Sequence, residues 1–174
     1  MSASRWQGHD RWLALALIAS SAHAQSSTAS LCPLLPVQQI ESLFGRKADG
    51  PPVGMDVMPK IGNCSLSFGS PGRMVILSTA PLTGGGKVPI ADRIRQGQKL
   101  MESSGLKSSP TPQYQFLGEV VCAVEQPQPP IGQTTCMTDH GDLQYNLVVR
   151  SDDAKNRDVP SVASLLKAVV AKLH

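Results

Sequence analysis

Leu143-Gln144-Tyr145-Asn146-Leu147-Val148-Val149-Arg150 puts Leu143, Tyr145, Leu147 and Val149 at every second position, with mostly polar residues between them. Successive side chains of an extended chain point to opposite faces, so this alternation predicts a strand with one buried face. Asp139-His140-Gly141-Asp142 precedes it, and Asp and Gly tolerate the backbone angles of a tight turn. Gln133 to Met137 is therefore expected to pair with Leu143 to Arg150 as a hairpin.

Working outward, Val120 to Val124 reads as another strand. Gln126 to Gly132 reads as a proline-rich loop standing out from the body. Further upstream, Cys64, Leu66 and Phe68 alternate with Asn63, Ser65 and Ser67. Ser70-Pro71-Gly72 then turns the chain into Met74 to Thr79, which makes a second hairpin. Asp49 to Gly62 is rich in Gly and Pro and reads as a loop. Thr83 to Lys87 and Ser108 to Pro112 read as loops too.

Three segments carry helical spacing. In Pro36 to Phe44, Val37, Ile40 and Phe44 share a face, with Pro36 suited to the first turn and Gly45 to the C-terminal cap. Pro89 to Ser104 aligns Ile90, Ile94 and Met101, although Gly97 weakens it by about 1 kcal/mol relative to alanine. Pro160 to Leu173 carries the broadest stripe: Val162, Leu165, Leu166, Val169, Val170 and Leu173. The resulting order is helix, hairpin, helix, three strands, helix. It predicts an α+β fold: an antiparallel sheet of about five or six strands with helices packed on its faces.

The first residues have the three parts of a secretory signal. Arg5 and Arg11 outweigh Asp10, Trp12 to Ala19 is apolar, and Ala22-His23-Ala24 offers an A-x-A site. The apolar run is far short of the roughly 20 residues a membrane-spanning helix needs. The expected organisation is a signal peptide over 1–24, a flexible spacer over 25–30 and one α+β domain over 31–174. Bulky Leu31 and the polar spacer argue against lipidation of Cys32, so no membrane anchor is expected. The destination is the periplasm or the medium.

All four cysteines, Cys32, Cys64, Cys122 and Cys136, follow that leader. An even count in an oxidising compartment predicts two disulfides. Of the three possible pairings, the sequential one, Cys32–Cys64 with Cys122–Cys136, is favoured. No C-x-x-C pair is present, so a zinc site is not expected. A formal net charge of +3 without a block of like charge offers little to nucleic acid.

Catalytic candidates are few. His9 and His23 lie in the leader and His174 is the last residue, so any histidine-dependent mechanism must use His140. Asp139 and Asp142 flank it, and a small hydrolase built on this cluster is one alternative function. Glu102, Glu119 and Glu125 are candidates for a carboxylate pair, with surface positions expected. Thr83 to Lys87 lacks the full phosphate-loop pattern, because Val88 follows Lys87. No metal and no cofactor is expected.

Leu31-Cys32-Pro33-Leu34-Leu35-Pro36-Val37 through Leu43-Phe44-Gly45 resembles the opening of small bacterial exported proteins with a PsbP-like α+β fold. The resemblance continues at Asn63-Cys64-Ser65-Leu66, where that group carries its second cysteine in the first strand. It extends through Leu117-Gly118-Glu119, Asp139 to Val149 and Val162 to Leu173. It implies a fold and an envelope location, and it implies no activity.

The function expected from these readings is a non-catalytic periplasmic binding protein acting by protein–protein contact. An immunity protein that neutralises a toxin delivered into the envelope is a sharper form. Gln126, Pro127, Gln128, Pro129 and Pro130 are the candidate contact residues, since a stiff loop loses little entropy on binding. A small-ligand carrier with a pocket between helices and sheet is a further alternative.

Overall fold

The computed structural model describes residues 31–69, 71–82, 88–105, 112–128 and 130–173. The expected signal peptide, its cleavage site, the spacer and the Thr83–Lys87 loop lie outside the described residues.

Seven strands form one antiparallel sheet: β1 (Val53–Met58), β2 (Ile61–Ser67), β3 (Met74–Pro81), β4 (Gln113–Leu117), β5 (Val120–Gln128), β6 (Ile131–His140) and β7 (Leu143–Ser151). Their order across the sheet is β1-β2-β3-β7-β6-β5-β4. Among the described residues three α-helices accompany them: α1 (Val37–Phe44), α2 (Ile90–Ser103) and α3 (Val159–Val170).

The alternation at 143–150 does what it predicted. Tyr145, Leu147 and Val149 are buried, while Gln144, Asn146 and Val148 on the other face are half-buried. Pairing carries this alternation across the sheet. Cys64 lies opposite Leu77, Leu77 opposite Leu147, Leu147 opposite Cys136, and Cys136 opposite Cys122. The row forms the floor of the main core. Val162, Leu165, Leu166 and Val169 of α3 and Ile40 of α1 close the core from above.

Helix α1 ends at Gly45, whose φ of 64° suits a residue without a Cβ. Phe44 stacks on Phe68 with ring centroids 4.1 Å apart. Helix α3 begins where the Asp158 carboxylate accepts from the backbone N–H of Ser161 at 3.2 Å. At its far end the Lys172 ammonium donates to the carbonyls of Pro33 and Leu35.

Among the described residues, the second face of the sheet is covered at the end where α2 meets β5 and β6. Val121 and Ala123 of β5 point away from the main core, yet they are buried. Helix α2 lies over them with Ile90 inserted. The helix otherwise departs from expectation: Met101 is 40% and Leu100 70% exposed, so its apolar side is not fully used.

The sheet has seven strands rather than five or six because two were not read. Strand β1 falls inside the expected 49–62 loop. Strand β4 precedes the Gly118-Glu119 turn and pairs with β5 from Gln113 opposite Val124 to Leu117 opposite Val120. A third correction concerns Gln126 to Gly132. Most of this segment is strand rather than loop. Strand β5 runs on through Gln126 and Pro127 to Gln128, which pairs with Ile131 of β6. Pairing with β4 ends at Val124, so among the described residues Pro127 lies where β5 is paired on one side only, and within the stretch between Glu125 and Gln128 where the ladder with β6 is irregular, a place that tolerates a residue without an N–H. A register irregularity between Glu125 and Gln128 absorbs the remaining mismatch.

Candidate functional site

The disulfides are Cys32–Cys64 and Cys122–Cys136. Cys122 and Cys136 are directly opposed neighbours, with Cα atoms 4.0 Å apart. Among the described residues every cysteine is bonded, and no cluster of three or more His, Cys, Asp or Glu side chains is placed to hold a metal.

The Asp139-His140-Asp142 cluster does not converge. Asp139 and His140 are consecutive residues of β6 and therefore project to opposite faces. Asp139 is engaged by Arg93 of α2 through two hydrogen bonds of 2.9 Å. The same guanidinium donates to Gln144 Oε1 at 3.0 Å and to the Val88 carbonyl at 2.7 Å. The pair joins α2 to the sheet. His140, on the other face, stands edge-on to Tyr145 with centroids 6.4 Å apart. Burial raises the Tyr145 pKa above the ordinary phenol value. Asp142 is exposed in the turn, and its carbonyl accepts from Leu82 N–H.

The three candidate glutamates are scattered. Glu102 is exposed near the end of α2, Glu119 is exposed in the β4–β5 turn, and Glu125 is half-buried in β5. A pocket of about 310 Å³ opens at the start of α2, where Ile90, Glu119, Thr138 and Asp139 meet. A shallower groove of about 460 Å³ lies between α1 and α3, beside Ser42, Leu43, Ser161 and Ser164.

Of the loop residues Gln126, Pro127, Gln128, Pro129 and Pro130, the first three belong to β5. Pro130 is exposed in the turn, and Pro129 lies outside the described residues.

Most of the exposed large apolar side chains among the described residues gather elsewhere, on edge strand β1. Val53 is 69%, Met55 64%, Val57 70% and Met58 53% exposed. Among the described residues, nothing pairs with the outer edge of this strand in the sheet order. Val53 and Met55 lie opposite Ser65 and Asn63, so they stand on the face away from the main core. The row continues inward through Ser65, Ile76, Val148 and Thr135. Strand β1 is held firmly at its turn. The Thr79 hydroxyl donates to the Lys60 carbonyl at 2.7 Å and accepts from Gly62 N–H at 3.2 Å. Gly62 itself permits a close approach, because a Cβ there would meet the Met55 carbonyl oxygen and lie 2.9 Å from Asp56 Cα.

Sequence reasoning missed β1 although a signal was present. Val53, Met55 and Val57 alternate with Gly54 and Asp56. Pro51, Pro52 and Pro59 around them gave the segment the composition of a loop.

Among the described residues no helix is long and apolar enough to cross a membrane. No family model, no curated protein and no solved structure matches this chain.

Proposed function

We propose that this chain is a non-catalytic binding protein of an oxidising compartment outside the cytoplasm, acting by protein–protein contact through strand β1. The carrying observation is the exposure of Val53, Met55, Val57 and Met58 on an unpaired edge. An edge strand offers free N–H and C=O groups to an incoming strand, and natural proteins usually blunt such edges with charge. This one carries a single charge, Asp56, and a bulge between Asp56 and Met58, and otherwise presents apolar side chains. Strand addition supplies main-chain hydrogen bonds for affinity, and alternate side chains supply selectivity. The two disulfides support the compartment, since such bonds persist where the surroundings oxidise. The commitment of Asp139 to Arg93 speaks against the hydrolase alternative.

Kinship with PsbP-like exported proteins belongs to the same proposal. An antiparallel sheet closed by a C-terminal helix supports it. The position of Cys64 in the second strand, where that group has the first, is a departure.

The test is a photo-reactive residue at Met55, introduced in the native cell, with Ser161 on α3 as the control position. The expected result is a covalent protein adduct at Met55 and none at Ser161. No adduct at Met55 under any growth condition would remove β1 as the contact.

A further inference from the structure

We infer that the protein partner lies over the open face of the sheet, beyond β1, and sets an acidic side chain on Arg150. The inference rests on β1 being a contact strand, and it names the chemistry of the partner that meets it.

Val53 and Met55 stand on the face away from the main core, and so does Arg150. Arg150 pairs with Met74 of β3 and with Gln133 of β6, one row along from the row that joins Val53 to Val148. Helix α2 meets this face at β5 and β6, next to Gln144 at the other end of β7. A partner that covers Val53 and Met55 therefore has Arg150 ahead of it on one continuous surface.

Arg150 is a cation without a counter-ion. Its side chain is half-buried, and its Nε is shut off from solvent with no hydrogen-bond partner. Among the described residues no carboxylate pairs with it. Asp152, two residues on, has both oxygens held by Arg73. Glu125 lies in the same row but beyond Gln133, which puts it about 10 Å away across two strand spacings. A charge drawn partly out of water without a partner costs folding free energy. An incoming carboxylate removes that cost, because the planar guanidinium can match its two oxygens with two parallel hydrogen bonds. Arginine is also among the side chains that most often anchor protein interfaces.

The lattice of the sheet sets a length. The order β1-β2-β3-β7 puts three strand spacings between Val53 and Arg150. With the offset of one row, the separation is about 16 Å. Extended chain covers that distance in about five residues. The acidic residue is therefore expected about five residues from the one that meets Val53.

The closing experiment adds a second photo-reactive position in the native cell, at Met74, which lies directly opposite Arg150. Expected is the same protein captured at Met55 and at Met74, with an Asp or Glu about five residues from its Met55-linked residue. Arg150→Gln should lower the Met74 adduct at least roughly ten-fold, and Arg150→Lys, which keeps the charge, should lower it less. Neither variant should lower the melting temperature, because Arg150 has no partner within the chain to lose. An undiminished Met74 adduct in Arg150→Gln, or a captured segment without an acidic residue, would overturn the inference. A matched loss of stability in Arg150→Gln and Glu125→Gln overturns it too, since it marks the arginine as a structural partner of Glu125. An adduct at Met55 with none at Met74 overturns it but leaves the β1 reading intact. No adduct at Met55 removes both.

Discussion

Cys64 and Cys122 lie in one cross-strand row, separated only by Leu77, Leu147 and Cys136. Both disulfides therefore enter the sheet at the same level, one at each end of the row. Cys122–Cys136 closes a hairpin with a sequence separation of 14, and Cys32–Cys64 closes a loop with a separation of 32. On the chain-entropy account, closures of these lengths stabilise by about 3 and about 4 kcal/mol respectively. Replacing each pair by alanines should lower the unfolding free energy by amounts of this order, the Cys32–Cys64 variant losing more. Urea denaturation of the two double variants checks the ranking.

Among the described residues, helix α2 is joined to the sheet by the Arg93 guanidinium on Asp139 and Gln144, by Arg95 lying 4.4 Å over the Phe116 ring of β4, and by a small apolar footprint. Arg93→Ala should loosen α2 while leaving the main core intact. In hydrogen exchange, the amides of 90–103 and of Val121 and Ala123 should exchange at least ten-fold faster, with β3 and β7 unchanged. Asp139→Asn, which keeps the shape and removes the charge, should have a smaller effect in the same region.

Phe68 is fully buried and stacked on Phe44. Phe68→Ala removes a large side chain from a packed site and should cost about 3–5 kcal/mol. Phe68→Leu should recover much of that loss. Thermal and chemical unfolding of the two variants measure the difference.

Gly62 lets the backbone of β1 approach β2 closely. Gly62→Ala should push the end of β1 outward at a cost of roughly 1–3 kcal/mol. It should also impair any contact made through β1, although residue 62 is not itself exposed. Backbone NMR shifts confined to 53–63 would identify this displacement, and shifts spread across the core would refute it.

Acid should weaken the tie between β3 and β7. The Asp152 carboxylate accepts two hydrogen bonds from the Arg73 guanidinium, which holds its pKa below the usual carboxylate range. A carboxylate depressed in the folded state contributes stability that is present above its unfolded pKa of about 3.9, and that is lost as pH falls through the lower folded value. Glu41, held down by Lys47 and the Ala48 N–H, acts in the same direction. Unfolding free energy should therefore decline below about pH 4, and Asp152→Asn should flatten that limb. Titration of stability from pH 6 to pH 2 for both proteins checks it.

The elements legible in the sequence are those whose periodicity matches their burial. Strand β7 alternates and has one buried face. Helix α3 carries a broad apolar stripe and buries it. Strand β1 alternates equally well, but its apolar residues face outward and prolines bracket it. Composition therefore pointed to a loop. The Gln126–Gly132 segment failed for a related reason. Proline excludes a central strand, yet β5 is central only as far as Val124, and a sequence does not show where a neighbouring strand stops. The residues around His140 suggested a site because they adjoin in sequence. Adjacency along a strand is what sends Asp139 and His140 to opposite faces.

The Cys32–Cys64 bond has a mechanical consequence. Tension applied through the residues ahead of Cys32 passes directly into β2 by way of the covalent link. The stretch between the two cysteines, which holds helix α1 and the whole of β1, carries none of that load. A pull on this end of the molecule would load β2, next to the edge of the sheet, before it drew out the exposed row of Val53, Met55 and Val57.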